Sequence, residues 1–221
     1  MLAQRHYQRF ISWVLELMHR QIRHEWTVEW NGLHVQICPQ VFNPITGRTT
    51  QFFIEHMKIR PDSHVLEIGT GSGAIAAAAA QIAQFVTATD VSPYAVRCAQ
   101  ATMRQNGLMN RVTVRLGDLF APVHGERFDI ILFNPPYFRF DPQSWMAKAW
   151  CAGSKYQLIV RFLEGARKVL NPSGEIQILL SSASDLPQII GFIKMAGFRI
   201  ELISQGQIFG PLERIYLFRL N

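Results

Sequence analysis

Several features that would place the chain in a special class are missing or scarce. Its 221 residues contain no apolar run long enough to cross a bilayer and no CxxC pair. The N-terminal segment is interrupted by Arg5, Arg9, Glu16 and Arg20, so it lacks the apolar core of a secretory signal. We therefore expect a globular, cytoplasmic protein with no membrane segment and no metal site.

Cysteine is rare, and the few cysteines are widely spaced. Cys38, Cys98 and Cys151 are odd in number and far apart in the sequence. This argues against a disulfide framework or a zinc site and favours a reducing compartment. We expect all three to be buried and to pack as small hydrophobic side chains.

Charge of one sign is only mildly in excess. The formal net charge is +6 and the isoelectric point is near 9.5, which leaves open an acidic partner such as nucleic acid. The sequence has no run of five like charges and no alternating basic and aromatic stripe. A mildly basic surface is the simpler interpretation.

The first 40 residues predict a helix followed by a hairpin. Apolar residues recur at steps of three and four from Leu2 to Ile22. Two β-rich runs, Trp26–Trp30 and Leu33–Ile37, then flank Asn31-Gly32, a pair typical of a tight hairpin turn. We expect the helix to pack on the rest of the protein. The alternative is that it binds a partner protein or a second copy of the chain.

Residues 41–221 predict one α/β domain, to which residues 1–40 are an extension. Strands and helices alternate, as in a parallel sheet with helical crossovers. The predicted strands are His64–Ile68, Val86–Asp90, Val112–Leu116, Phe128–Phe133, Gly174–Leu180, Phe198–Ile203 and Leu212–Phe218. The predicted helices are Thr49–Lys58, Ala74–Gln84, Pro93–Gln105, Tyr156–Leu170 (ended by Asn171-Pro172) and Leu186–Ala196. We expect a Rossmann-like, doubly wound, mostly parallel seven-stranded sheet whose last two strands pair antiparallel.

A glycine-rich segment follows the first strand of this domain. It reads Glu67-Ile-Gly69-Thr-Gly71-Ser-Gly73, and we call residues 69–73 the glycine loop. Such a loop lets a ligand approach the backbone at the carboxyl edge of the sheet. Because Ala74 completes a G-x-G-x-x-A pattern and Asp90 follows about twenty residues on, a nicotinamide dinucleotide is one candidate ligand.

Two acids favour S-adenosylmethionine over a dinucleotide. Glu67, two residues before the first glycine, is typical of sites where an acid accompanies the amino-acid portion of this cofactor. Asp118 lies after the third strand, where such sites place an acid on the adenine amine; it could equally cap a turn. The sequence also shows no catalytic Tyr/Lys pair of the kind a dehydrogenase needs.

The fourth strand runs into Asn134-Pro135-Pro136-Tyr137, which we call the tetrad. The Asn134 side-chain oxygen and the Pro135 carbonyl can each accept one N–H bond from a planar –NH2 group. Tyr137 offers an aromatic face to a flat amide or base. These groups suit methyl transfer to nitrogen by positioning alone, without a metal or a covalent intermediate. The competing interpretation is a plain turn, which Asn-Pro often starts.

Taken together, these motifs resemble the HemK/PrmC branch of class I methyltransferases, over about Val41 to Arg219. The matching segments are VLEIGTGSGAIA (Val65–Ala76), TDVSPYAV (Thr89–Val96), GDLF (Gly117–Phe120) and FDIILFNPPYF (Phe128–Phe138), with looser matches at Ala149–Gly153 and Glu213–Ile215.

The resemblance implies an S-adenosylmethionine-dependent N-methyltransferase. Its expected cofactor contacts are Glu67, Gly69, Thr70, Gly71, Gly73, Asp90, Val91, Asp118, Leu119 and Asn134. The expected catalytic residues are Asn134, Pro135 and Tyr137, with Phe42, Pro136 and Tyr137 contacting the methyl acceptor. The acceptor that the resemblance implies is a glutamine side chain of a protein.

Two departures from the family leave the acceptor open. The family has an acid–threonine pair soon after the segment that matches Val41–Pro44, whereas Ile45–Thr50 contains no acid. The larger N-terminal domain of bacterial members is also reduced to a short extension. A small molecule or peptide and an adenine of RNA or DNA are therefore alternative acceptors. Outside this class, we consider an NAD(P)-binding oxidoreductase and a catalytically silent methyltransferase fold.

Overall fold

The alternating strands and helices form one sheet with helices on both faces. The computed structural model describes residues 2–46, 48–208 and 213–221, with the backbone alone for residues 2–5. The strands are β1 Trp26–Trp30, β2 Leu33–Ile37, β3 His64–Ile68, β4 Phe85–Asp90, β5 Val112–Leu116, β6 Phe128–Phe133, β7 Leu170–Ser181, β8 Ile200–Ile208 and β9 Glu213–Leu220. The helices are α1 Leu2–Arg20, α2 Arg48–His56, α3 Ala74–Ala80, α4 Pro93–Gln105, α5 Gln157–Val169 and α6 Leu186–Met195.

Seven strands pair in the order β5-β4-β3-β6-β7-β9-β8. The first five of these are parallel, and β9 pairs antiparallel with both β7 and β8. The predicted doubly wound, mostly parallel seven-stranded sheet is confirmed. The strand order reverses between β3 and β6, and this switch point is where open α/β sheets bind their ligands.

Alternate residues of each central strand fill two separate cores. Val65, Ile130 and Leu132 face the core that contains α3, whereas Leu66 and Ile131 face the core that contains α5 and α6. Because both faces of β3 and β6 are covered, apolar residues stand next to each other along these strands, as in Val65-Leu66 and Ile130–Phe133, as expected for central parallel strands. The carboxyl ends of these strands are therefore held by packing on both sides.

The N-terminal helix and hairpin form as predicted. Strand β2 buries Leu33, Val35 and Ile37 in the same core as α3. The backbone N–H of Gln36 donates to Thr102 Oγ1 of α4 at 3.0 Å. The hairpin thus shares a hydrophobic core with the sheet. A domain boundary at residue 40 remains a prediction.

The prediction that the chain has no disulfide was wrong. Cys38 and Cys98 form a disulfide across 60 residues, with their Cα atoms 6.0 Å apart. The hairpin packs on α4 and so brings together two cysteines whose spacing in the sequence gives no sign of contact. The burial of all three cysteines is confirmed, and Cys151 is free.

Some predicted boundaries also differ from the structure. Helix α3 ends at Ala80, and α5 passes at Val169 directly into β7. Asn171-Pro172 therefore lies within β7 and does not end a helix, which corrects the prediction. The β6–β7 pairing is irregular at this point, and an irregular ladder tolerates the missing N–H of proline. The first residue of the predicted strand Leu212–Phe218 lies outside the described residues.

We expect Gly73→Ala to destabilise the fold more than Gly107→Ala does. Both glycines have positive φ, +83° and +67°, which costs a non-glycine residue about 1–2 kcal/mol. A Cβ at Gly73 would also lie 2.8 Å from Met103 Cε and 3.0 Å from Ala99 Cα, whereas one at Gly107 would meet nothing within 4 Å. The added crowding should lower the free energy of unfolding by a further ~1–3 kcal/mol. Urea unfolding of both variants measures this, and equal losses would contradict it.

Candidate active site

A cavity of about 260 Å³ opens at the carboxyl ends of β3, β4 and β6. It joins the glycine loop to the tetrad in one continuous space. The predicted residues that line it are Phe42, Glu67, Gly69, Thr70, Gly71, Asp90, Val91, Asp118, Leu119, Asn134, Pro135, Pro136 and Tyr137. The fold therefore brings the two sequence motifs, which lie more than sixty residues apart, to a single site.

Gly73 is the one predicted site residue that does not line the cavity. It precedes α3 and packs against Ala99 and Met103 of α4. Its small size allows the two helices to approach each other closely. Its cofactor contact stays a prediction.

The glycine loop is held by backbone hydrogen bonds that leave its outer side open. The Gly69 and Thr70 amides donate to the Thr89 carbonyl at 2.8 and 3.0 Å. Gly69 and Gly71 have positive φ values of 72° and 57°, and a Cβ at either position would meet nothing within 4 Å. Their missing side chains thus leave space in which a ligand can lie against the backbone.

Asp90 locks the end of β4 to the glycine loop. Its Oδ2 accepts from the Gly71 amide and its Oδ1 from the Ser92 amide, both at 2.9 Å. Burial raises the pKa of this carboxyl, and the backbone hydrogen bonds partly oppose the rise. Each oxygen keeps a lone pair that can accept from a hydroxyl. This arrangement suits the ribose contact predicted from the sequence.

Glu67 is a buried acid facing the same cavity. It is 2% exposed, and Thr70 Oγ1 donates to its Oε2 at 2.6 Å. Burial raises the pKa of Glu67 to about 8, the Thr70 hydrogen bond lowers it, and the nearby Asp90 raises it further. A cation placed beside Glu67 would favour its ionised form. The ammonium group of a bound amino acid is such a cation.

Asp118 and Leu119 line the cavity after β5. Asp118 forms a half-exposed ion pair with Arg161 of α5. Leu119 is buried with a φ of +49°, and its carbonyl accepts from Thr89 Oγ1 at 3.3 Å. The ion pair with Arg161 could not be predicted from the sequence. The adenine contact of Asp118 stays a proposal.

The tetrad follows β6 directly and presents its polar atoms to the cavity. The Tyr137 hydroxyl donates to Asn134 Oδ1, the oxygen expected to accept from a methyl acceptor. Pro135 and Pro136 are buried. Burial, and secondly the charge of Glu213, raise the pKa of Tyr137 well above its ordinary value. Tyr137 is thus a neutral hydrogen-bond donor at physiological pH.

Helix α1 covers the tetrad end of the cavity. Ile11 and Leu15 line it, and Trp150 Nε1 donates to Ser12 Oγ at 2.8 Å. The Nε2 atom of the buried His19 accepts a hydrogen bond from the backbone N–H of Asn43 at 3.0 Å. The expectation that this helix packs on the domain is confirmed. The contribution of this helix to the site could not be predicted from the sequence. The amphipathic pattern shows that one face is apolar, but it does not show what that face packs against.

Two further cavity residues, Thr49 and Glu213, were not predicted as site residues. Thr49 is buried on α2, and its side chain lies close enough to the Tyr137 hydroxyl to oppose the rise in the pKa of that group. Glu213 is buried at the start of β9. Both lie far in sequence from the motifs. The only signal for Glu213 was the loose family match at Glu213–Ile215.

Among the described residues, no group of three or more His, Cys, Asp or Glu side chains could hold a metal ion. In the same part of the chain, no helix combines the length and apolarity that a membrane crossing requires.

The strand order, the glycine loop with its buried acids, and the tetrad at the switch point together define a class I methyltransferase. Comparison with known families makes this specific: residues 43–198 match the model of the methyltransferase small domain. The chain belongs to that family and is an S-adenosylmethionine-dependent methyltransferase, which confirms the predicted class and cofactor.

Relatives of similar sequence include glutamine methyltransferases. A protein of Methanocaldococcus jannaschii named as an N5-glutamine methyltransferase is 30% identical over 196 residues, 85% of this chain and 95% of that one. The release factor glutamine methyltransferase of Moorella thermoacetica is 32% identical over 74% of this chain. This chain covers 64% of that enzyme's length, so the two differ in overall extent.

Solved structures support the fold. The 16S rRNA N2 G1207 methyltransferase of T. thermophilus, in complex with AdoMet and guanosine, superposes with a TM-score of 0.67 at 16% identity. The superposition covers 90% of this chain and 50% of that one. At this identity the likeness concerns the fold alone.

The cavity fits S-adenosylmethionine on grounds of its own shape and chemistry. Glu67 would hold the ammonium of the amino-acid portion, Asp90 would accept from the ribose hydroxyls, and the open glycine loop would face the methionine part. When bound, the cofactor supplies a methyl group on a positively charged sulfur.

We expect Asn134→Ala to abolish turnover while leaving cofactor affinity nearly intact. The substitution removes the side-chain oxygen that orients the acceptor nitrogen, and the loss of one such group typically costs about 100-fold or more in rate. Methyl transfer assays and calorimetric titration with S-adenosylhomocysteine measure the two effects separately. Equal loss of rate and affinity would contradict the role given to Asn134.

We also expect Glu67 to make the cofactor-free protein less stable as pH rises. Between about 4.5 and about 8, the folded protein retains a proton on Glu67 that the unfolded chain has lost, so the stabilising contribution falls as pH approaches 8. Glu67→Gln should flatten this part of the profile, and Glu164→Gln, at an exposed site on α5, should not. Urea unfolding from pH 5 to 8.5 checks this; unchanged slopes in Glu67→Gln would refute it.

Proposed function

We propose that this protein transfers a methyl group to the side-chain amide nitrogen of a glutamine in another protein. The observation that carries the proposal is the tetrad, which lies in one cavity with the glycine loop and holds the polar atoms of Asn134 and Tyr137 at its edge.

A primary amide matches this site in shape and in hydrogen bonding. Its two N–H groups need two acceptors, which Asn134 Oδ1 and the Pro135 carbonyl supply. Binding displaces the Tyr137 hydroxyl from Asn134 Oδ1, and the buried Thr49 is a second partner already within its reach. The ring of Tyr137 then lies free to stack on the flat amide.

Two relatives support a glutamine acceptor by their names, an N5-glutamine methyltransferase and a release factor glutamine methyltransferase. The archaeal relative matters more, because this chain spans 95% of its length. A relative of nearly the same extent as this chain therefore carries the name of a glutamine methyltransferase. An acceptor protein of the translation apparatus places the proposed reaction in the cytoplasm; the cysteines do not support a reducing compartment as expected, because Cys38 and Cys98 form a disulfide.

A partner protein or a second copy of the chain on α1 stays a prediction. Phe10, Trp13 and Leu17 are exposed on this helix, with Trp13 61% accessible. They lie on the side away from Ile11 and Leu15, which face the cavity. This outer side could receive the acceptor protein or an accessory subunit.

Incubation with tritiated S-adenosylmethionine and fractionated cell extract tests the acceptor. We expect the label in protein, and we expect alkali to release it as volatile methylamine, as N5-methylglutamine requires. Enzyme carrying Asn134→Ala is the control and should transfer no label. Label in nucleic acid or in small metabolites, or protein label that alkali does not release, would overturn the glutamine assignment.

A further inference from the structure

Glu213 is a buried acid at the acceptor end of the cavity to which no role has yet been given. It begins β9, is 8% exposed, and lines the same cavity as Asn134 and Tyr137. Within the described part of the chain, no lysine, arginine or histidine forms a salt bridge with it. An acid buried without a cation is costly, and such groups often mark functional sites.

The Glu213 carboxylate is held in place from two sides. Ser181 Oγ, at the end of β7, donates to its Oε1, and the Tyr7 hydroxyl of α1 donates to its Oε2 at 3.4 Å. Ser181 Oγ in turn accepts from the Ala183 amide at 2.9 Å. The carboxylate is therefore oriented by the sheet and by the helix that covers the cavity.

The charge of Glu213 reaches the tetrad. It raises the pKa values of both Tyr7 and Tyr137, in each case after the larger effect of burial. Tyr137 also hydrogen-bonds Asn134. The negative potential of Glu213 therefore acts where the acceptor nitrogen would lie.

We propose that Glu213 stabilises the positive charge that develops on the acceptor nitrogen during methyl transfer, and that Tyr7 positions it for this task. The proposal rests on the proposed function in one respect, a neutral nitrogen as acceptor. Glu213 acts on the reacting nitrogen through the electrostatic field in the cavity, and Tyr7, which acts through Glu213, is a positioning residue.

The charge balance of the reaction explains the need for such a group. The nitrogen lone pair forms the new N–C bond while the C–S bond breaks and its electron pair stays on sulfur. The nitrogen gains the positive charge that the sulfur loses, and it then releases a proton to water. An oriented carboxylate in a water-poor cavity favours this transfer of charge from sulfur to nitrogen.

The proposal makes α1 a part of the active centre. Tyr7 reaches Glu213, while Ser12, little more than one turn further along the helix, reaches Trp150 and has no contact with Glu213. The two side chains anchor the same helix, but only one of them touches the acid. They therefore form a matched pair for separating the docking of α1 from the orientation of Glu213.

The first test is binding and needs no acceptor. Sinefungin carries an ammonium group where the cofactor carries its methyl sulfonium, whereas S-adenosylhomocysteine is neutral there. Calorimetric titration gives the ratio of the two dissociation constants. We expect Glu213→Gln to reduce the preference for sinefungin by roughly tenfold, the size expected for a partly screened pair of unit charges. The exposed Glu201→Gln on β8 should leave the ratio unchanged.

Two α1 variants complete the binding test, in case Glu213→Gln does not fold. Tyr7→Phe should reduce the sinefungin preference about two- to threefold, because the ring remains while the anchor to Glu213 is lost. Ser12→Ala should leave the preference as it is. An unchanged ratio in Tyr7→Phe and in folded Glu213→Gln, or an equal change in Ser12→Ala, would overturn the proposal.

The second test is kinetic. Glu213→Gln should lower kcat by about tenfold or more with little change in KM for the acceptor, and Glu213→Asp should restore part of the rate. Loss confined to KM would overturn the charge role. Transfer to a nitrogen other than that of glutamine would refute the proposed acceptor but not the role of Glu213. That role would still be tested by the ratio of dissociation constants and by the effect of Glu213→Gln on kcat.

Discussion

The active site depends on the parallel alignment of β3 and β6 at the centre of the sheet. Ile68 and Phe133, the last residues of these strands, are directly paired, so the segments that follow must emerge side by side. One of these segments is the glycine loop and the other is the tetrad. Because both strands are buried on both faces, the separation of the two motifs is set by the core and not by loops.

Much of this arrangement could be predicted from the sequence, since it follows from local patterns. The strand that ends in Glu67-Ile68 and the strand that ends in Phe133 are short apolar runs bounded by loop residues, and both were located to the residue. Asn134 and Tyr137 were identified because their chemistry is specific. The hairpin turn at Asn31-Gly32 could be predicted because both residues readily adopt the positive φ that a two-residue turn requires.

What could not be predicted depends on contacts between distant segments. Glu213 became part of the site only because β9 inserts between β7 and β8, which places its first residue beside Ser181. Tyr7 acquires its partner from the way α1 packs over the tetrad end of the cavity. The packing of Gly73 against α4 could not be predicted either, since a glycine that allows helices to pack looks, in sequence, like one that allows a ligand to bind.

The Cys38–Cys98 bond has a topological consequence for the protein. It closes a covalent ring of residues 38–98, which contains α2, β3, the glycine loop and β4, so Glu67 and Asp90, the two acids for which cofactor contacts are proposed, both belong to one circle of chain. A protease that cuts a surface turn inside this circle would leave the two fragments joined. While the bond is oxidised, the segment that carries Glu67, the glycine loop and Asp90 is therefore protected against separation even after a single nick, whereas the tetrad, which lies outside the circle, is not.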